Sequence, residues 1–144
     1  TGQTRVNLSH AARLAHIGLT FPDVDPEART TLLSTEYREL PLLGERVLSM
    51  APVTEDCRVA VRHQYERYDG SGYPDGLKGK DIPIIARILA IVDAYVSRAS
   101  SGGPDEYLHE QAMRYVQDHS GTRFDPDLVN IFTQMHEICS EVVV

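Results

Sequence analysis

Residues 66–95 read ERYDGSGYPDGLKGKDIPIIARILAIVDAY, and they hold two kinds of sequence in succession. From Arg67 to Asp81 there is no hydrophobic period, and four of the chain's ten glycines fall here: Gly70, Gly72, Gly76 and Gly79. Glycine opens positive φ, and Pro74 fixes its own φ and biases Tyr73 toward extended geometry. The stretch is too long for a mere connection and too rich in turn chemistry for disorder. Functional loops carried on rigid scaffolds have this profile, although an ordered and inert surface loop would share the composition. After Pro83 the pattern changes. Ile84, Ile85, Ile88, Leu89, Val92 and Tyr95 recur at three- and four-residue steps, which predicts a buried helix.

Outward from this stretch, the punctuation is helical. Asp25-Pro26-Glu27 and Asp125-Pro126-Asp127 each set a capping Asp before a Pro at the first helical position. Gly103-Pro104-Asp105-Glu106 places acids in a first turn, where the helix dipole favours them. Leu128, Ile131, Phe132, Met135, Ile138 and Cys139 form a second helical stripe. Val47 and Leu48, then Val59 and Val61, predict helices over about 42–50 and 54–66, and a short helix is expected over about 5–16. No segment alternates as a strand. The expected fold is an all-α bundle of six or seven helices carrying one long loop.

Bulk properties narrow the function. The chain has 144 residues and 42% hydrophobic content, which suits one soluble domain. Its net charge is −7, from 21 acidic and 14 basic residues. That argues against nucleic acid or an anionic membrane surface as partner, and any anionic ligand needs a local basic patch. No apolar run approaches the ~18 residues that span a bilayer, and no signal peptide is visible. The two cysteines, Cys57 and Cys139, match no metal-ligand spacing and read as reduced thiols. These features point to the cytoplasm.

Glu66-Arg67-Tyr68-Asp69-Gly70-Ser71-Gly72-Tyr73-Pro74-Asp75-Gly76-Leu77 resembles the signature loop of the HD-GYP family within the HD superfamily. So do Ile82-Pro83, Ala86-Arg87-Ile88-Leu89-Ala90 and Asp93-Ala94-Tyr95, and so does Gly121-Thr122-Arg123-Phe124-Asp125-Pro126. The resemblance covers roughly 5–135. It implies a helical domain of bacterial cyclic di-GMP signalling, an HD-superfamily bundle with a long GYP loop. Members with a full site are phosphodiesterases that use two or three metal ions, often iron or manganese. The resemblance also places the family's first core helix before Thr1. Residues 1–144 are therefore expected to form a single HD-GYP-like domain that lacks that helix and belongs to a longer signalling protein.

A multinuclear hydrolytic site needs convergent imidazoles and carboxylates. In the slots the resemblance assigns, this chain has other chemistry. The His-Asp pair is Ala15-His16, and the Lys that comes next is Leu19. The Pro-adjacent His is Leu40, beside Pro41. The His-His pair is Gln64-Tyr65, with His63 one position early and so turned by about 100° on a helix. Only Asp93 remains. His16, His63 and Asp93 are the residues from which a single Fe or Mn ion could be held. Their alternative roles are hydrogen-bonded or surface histidines, and a buried carboxylate paired with Arg62 or Arg87. Between Val96 and Glu110 the only cation is Arg98, so the grip on a dinucleotide is also reduced. Neither Ser97, Ser100 and Ser101 nor Cys57 lies in a nucleophile motif, and Gly70-Ser71-Gly72 lacks the Lys-Ser/Thr of a phosphate loop.

The resulting expectation is a non-catalytic signalling module with no catalytic residues and no cofactor. Its partner-binding surface is the loop residues Glu66, Arg67, Tyr68, Asp69, Gly70, Gly72, Tyr73, Pro74 and Lys78. Because the family's loop is associated with diguanylate cyclase domains, such signalling proteins are the expected partners. Two alternatives stay open: a receptor that binds cyclic di-GMP without hydrolysis, and a residual metal-dependent phosphodiesterase. A homodimer formed over the side that the first helix would cover also stays open.

Overall fold

The computed structural model describes residues 2–15, 35–99 and 105–142, with side chains at 2–15, 38–99 and 107–136. The caps expected at Asp25 and Gly103, as well as His16 and the Cys139 side chain, lie outside that set. Six α-helices and no strand occur among the described residues: α1 (Gly2–Leu14), α2 (Thr35–Leu48), α3 (Glu55–His63), α4 (Ile84–Ala99), α5 (Asp105–Asp118) and α6 (Pro126–Val142).

Helix α4 is the spine. Its first half packs Ile85 and Leu89 against Ala11 of α1 and Cys57 and Ala60 of α3. Its second half packs Ile91 and Ala94 against Val116 of α5, Val129 of α6 and Phe124 in the connection between them. A helix between two cores needs buried residues on more than one face. For that reason the predicted stripe needs correction. Ile84 and Val92 are exposed, whereas Ala86, Ile91 and Ala94 are buried where neighbouring helices approach closely. Among the described side chains of α6, Val129 is buried, while Ile131 and Met135 are exposed.

Boundaries moved where packing overrode local signals. Helix α2 starts at Thr35 and runs through Pro41, although a proline inside a helix removes one backbone bond. Leu40, Pro41 and Leu48 are buried, and that burial offsets the lost bond. Helix α3 stops at His63 rather than at 66, because Gln64 and Glu66 leave the helix and turn their side chains to neighbouring backbone.

Two polar links fix the helices in register. Buried Asn7 donates from Nδ2 to Asp56 at 2.8 Å and accepts from Thr54 Oγ1 at 3.2 Å, which holds α1 on the start of α3. Asp125, 1% exposed, accepts the Asp127 N–H at 2.9 Å and so caps α6 as its sequence predicts. Its other oxygen pairs with Arg87 Nη1 at 2.5 Å, and Arg87 also donates from Nε to the Ile82 carbonyl at 2.8 Å. One buried ion pair thus joins α4, α6 and the end of the long loop.

Candidate functional site: a braced loop beside an emptied ligand pocket

The loop between α3 and α4 is held from inside. The Glu66 carboxylate has no exposed side-chain surface and accepts the Asp75 N–H at 2.8 Å and the Leu77 N–H at 3.1 Å. It folds the far limb of the loop back on its start. Gly72 sits against that start: a Cβ there would lie 2.3 Å from the Arg67 nitrogen and 2.5 Å from Glu66 Cα. Only glycine allows this approach. The Tyr73–Pro74 peptide is cis, and the Tyr73 ring stacks on Tyr65 with centroids 5.5 Å apart. Arg38 of α2 lies over the Tyr73 ring at 5.8 Å, and burial pushes the Tyr73 hydroxyl above its ordinary pKa.

Two further ties anchor the loop to the rest of the chain, and a third closes within it. The Tyr68 and Asp69 amides donate to the carbonyls of Arg123 and Thr122 at 3.2 and 2.8 Å, which joins the loop to the α5–α6 connection. The Arg62 guanidinium makes two 2.8 Å bonds to Asp75, and its Nη1 bonds Glu45 of α2 at 2.5 Å. Asp69 Oδ1 accepts from Ser71 Oγ at 2.6 Å and from the Ser71 amide at 2.9 Å, which holds the Asp69 carboxyl below its usual range. Asp69, Ser71, Asp75, Gly76, Lys78, Lys80 and Asp81 are exposed along the crest.

These placements divide the nine expected loop residues. Asp69 and Lys78 face outward, while Arg67, Tyr68, Gly70, Gly72, Tyr73 and Pro74 are half-buried. Glu66 is a correction. It is 3% exposed and acts as an internal strut, so it cannot form part of a contact surface. Its two hydrogen bonds explain why a carboxylate is needed there.

Behind the loop, Ala12, Ala15, Gln64, Leu89, Val92, Asp93 and Val96 line a cleft of about 240 Å³. Three of the ligand slots, Ala15, Gln64 and Asp93, therefore meet in one place, although their chemistry has changed. Gln64 Nε2 donates to the Ala15 carbonyl at 2.6 Å and to the Val61 carbonyl at 3.1 Å, so the amide closes the end of α1 onto α3. Leu40 is buried, and Tyr65 is turned to Tyr73. Among the described residues this cleft offers one carboxylate, a committed amide and hydrocarbon walls. That set does not fit a multinuclear hydrolytic centre, which needs several imidazoles and bridging carboxylates.

His63 and Asp93 do not face one another across this cleft. His63 Nδ1 lies 3.4 Å from Asp75 Oδ2 and 3.7 Å from Glu66 Oε1, on the loop side of α3. His63, Glu66 and Asp75 form a group that could hold an ion, a grouping that sequence spacing does not show because Asp75 arrives only through the fold of the loop. The two arginines suggested as partners of Asp93 are engaged elsewhere, Arg62 with Glu45 and Asp75 and Arg87 with Asp125. A second cleft, sharing Gln64, is lined by Tyr65, Glu66, Arg67, Tyr73, Ala90 and Arg123. Arg67 Nε is buried there without a hydrogen-bond partner. Arg98 lies 3.2 Å over the Tyr115 ring and donates to the Ala94 carbonyl at 3.1 Å.

The HD domain family matches residues 2–128. The chain is 40% identical over 109 residues to the cyclic di-GMP phosphodiesterase response regulator RpfG of Xanthomonas campestris, covering 70% of this chain and 29% of that protein. It is 40% identical over 136 residues to a probable cyclic di-GMP phosphodiesterase of Vibrio cholerae, covering 85% of this chain and 31% of that protein. The chain thus spans about a third or less of these relatives' length. A crystal structure of a cyclic GMP-AMP specific phosphodiesterase of V. cholerae superposes with a TM-score of 0.62 over 90% of this chain and 33% of that one, at 22% identity. A shared fold, a family match over most of the chain and a braced GYP loop agree: this protein belongs to the HD domain family and is an HD-GYP-type member.

Proposed function

We propose that this domain is a non-catalytic signalling module that acts through protein contacts of its GYP loop. One observation carries the reading. Glu66, Gly72 and Arg62 brace the loop internally, while the neighbouring cleft has hydrocarbon and a committed amide in the slots that the resemblance assigns to ligands. A loop so constrained presents Asp69 and Lys78 beside the half-buried Tyr73 at low ordering cost, which favours a specific protein partner. Diguanylate cyclase domains are the first partners to try, in keeping with the association that the family resemblance implies for this loop. No helix among the described residues is long and apolar enough to cross a bilayer.

The test is binding of a purified diguanylate cyclase domain to the wild type and to Asp69→Ala, Tyr73→Ala and Lys78→Ala. We expect at least two of the three to weaken binding about tenfold, or ~1.4 kcal/mol each. Equal binding by all three variants removes the loop from the account.

A second reading is favoured by the arginines of the neighbouring cleft. Arg67 and Arg123, with the stacked Tyr65 and Tyr73, offer cations and aromatic faces to a cyclic dinucleotide. Under that reading the domain is a cyclic di-GMP receptor without turnover. Calorimetric titration with the nucleotide decides it, since Arg67→Ala must weaken any heat that is observed. Residual hydrolysis, the activity named for the relatives, finds the least support in the ligand slots.

A further inference from the structure

The loop side of α3 brings His63, Glu66 and Asp75 together, a grouping that neither the hydrolytic reading nor the partner-binding reading contains. His63 is 9% exposed, and its Nδ1 is buried with no hydrogen-bond partner. A buried unsatisfied donor or acceptor costs about 1–3 kcal/mol, so one that persists calls for an explanation. The nitrogen lies 3.4 Å from Asp75 Oδ2 and 3.7 Å from Glu66 Oε1. The three ligand atoms all lie within 4.8 Å of one another.

We propose that His63, Glu66 and Asp75 bind one divalent transition cation of the zinc type, which fastens the loop to α3. Three arguments carry this. The first is geometric. Two ligands each about 2.1 Å from a tetrahedral ion stand about 3.4 Å apart, so the His63–Asp75 separation already matches and the His63–Glu66 separation needs a closure of only a few tenths of an ångström. The second is charge. Glu66, Asp75 and Glu45 carry three negative charges against the single positive charge of Arg62, so the cluster has a net charge of −2, which a divalent ion balances. The third is support around the ligands. Asp75 is clamped by Arg62, and Glu66 accepts two backbone N–H groups. Carboxylates that bind metals are oriented by such outer hydrogen bonds, and each oxygen keeps a lone pair for the ion. One imidazole and two carboxylates suit a borderline cation, and exposed Asp75 leaves room for water as a further ligand.

This ion sits on the loop side of α3, apart from the cleft at Asp93, and takes no part in hydrolysis. Its consequence is conformational: it ties the start of the loop (Glu66) and its far limb (Asp75) to one imidazole.

The test is calorimetric titration of Zn²⁺ into chelator-treated protein. Wild type is expected to bind one equivalent with micromolar or tighter affinity. His63→Ala and Asp75→Asn are each expected to weaken binding at least tenfold, while Asp93→Asn leaves it unchanged. Circular dichroism confirms that each variant is folded; should His63→Ala not fold, the loop-surface Asp75→Asn decides. No binding by wild type at millimolar Zn²⁺ overturns the proposal. So does wild-type affinity in Asp75→Asn, and so does loss of binding in Asp93→Asn, which would place the ion in the other cleft.

Discussion

Substitution of Glu66 by Gln tests how the loop is built. The change keeps shape and volume but replaces one carboxylate oxygen by an NH₂ group. In the structure both oxygens accept backbone N–H groups, from Asp75 at 2.8 Å and from Leu77 at 3.1 Å. A Gln side chain can accept only one of them, and its NH₂ then faces a second donor in a fully buried position. A hydrogen bond to a charged group contributes about 1.5–3 kcal/mol, and an unsatisfied buried donor costs about 1–3 kcal/mol. The expected loss is therefore about 3–5 kcal/mol, a large part of the ~5–15 kcal/mol of a typical domain. Urea unfolding monitored by helical circular dichroism measures the global part. If the loop detaches while the helices stay packed, the global value is smaller, and the rest appears as faster hydrogen exchange at the Asp75 and Leu77 amides. A global change under about 1 kcal/mol, the low end of that cost, together with unchanged exchange at both amides would refute the strut.

Other perturbations separate the remaining supports. Gly72→Ala forces a Cβ to within 2.6 Å of three backbone atoms of residues 66–67 and should cost at least about 3 kcal/mol, whereas Gly79→Ala, at φ +58° in open space, should cost about 1–2 kcal/mol; chemical unfolding of both variants gives the order. Arg87→Met leaves the buried Asp125 carboxylate without its cation and should cost about 3–5 kcal/mol, with much of that recovered in the Arg87→Met/Asp125→Asn double variant, as a double-mutant cycle would show. Asp69 is held below its usual range chiefly by the Ser71 hydroxyl, so its contribution to stability is present above the ordinary carboxylate range and is lost as pH falls below about 4. Carbon-detected NMR titration should find the Asp69 midpoint moving back up in Ser71→Ala.

Much of this was legible in the sequence, for identifiable reasons. The Asp125 cap and the opening of α4 after Pro83 rest on strong local chemistry, and both are present. Glycine at 72 and the loop pattern pointed to a specific fold of backbone, which the close approach at Gly72 explains. Ala15, Gln64 and Asp93, the slots that the resemblance assigns, line one cleft. The features that escaped it depend on long-range placement. The stripe of α4 was misassigned at Ile84 and Val92, because which of its apolar residues are covered depends on where the neighbouring helices approach. The continuation of α2 through Pro41 depends on tertiary burial, which local propensity does not carry. The engagement of Arg62 by Glu45 and Asp75, and the approach of Asp75 to His63, arise from a loop folding back over a dozen residues. No spacing rule encodes that return. Glu66 was read as a contact residue because it opens the loop motif, and only its burial assigns it to the interior.

The central claim, a kept loop over a dismantled hydrolytic site, is tested most directly by incubating the purified protein with cyclic di-GMP and excess Mn²⁺ or Fe²⁺ and resolving the products chromatographically. The account predicts intact cyclic di-GMP and no linear dinucleotide. Metal-dependent formation of linear product by the wild type, abolished in Asp93→Asn, would contradict it.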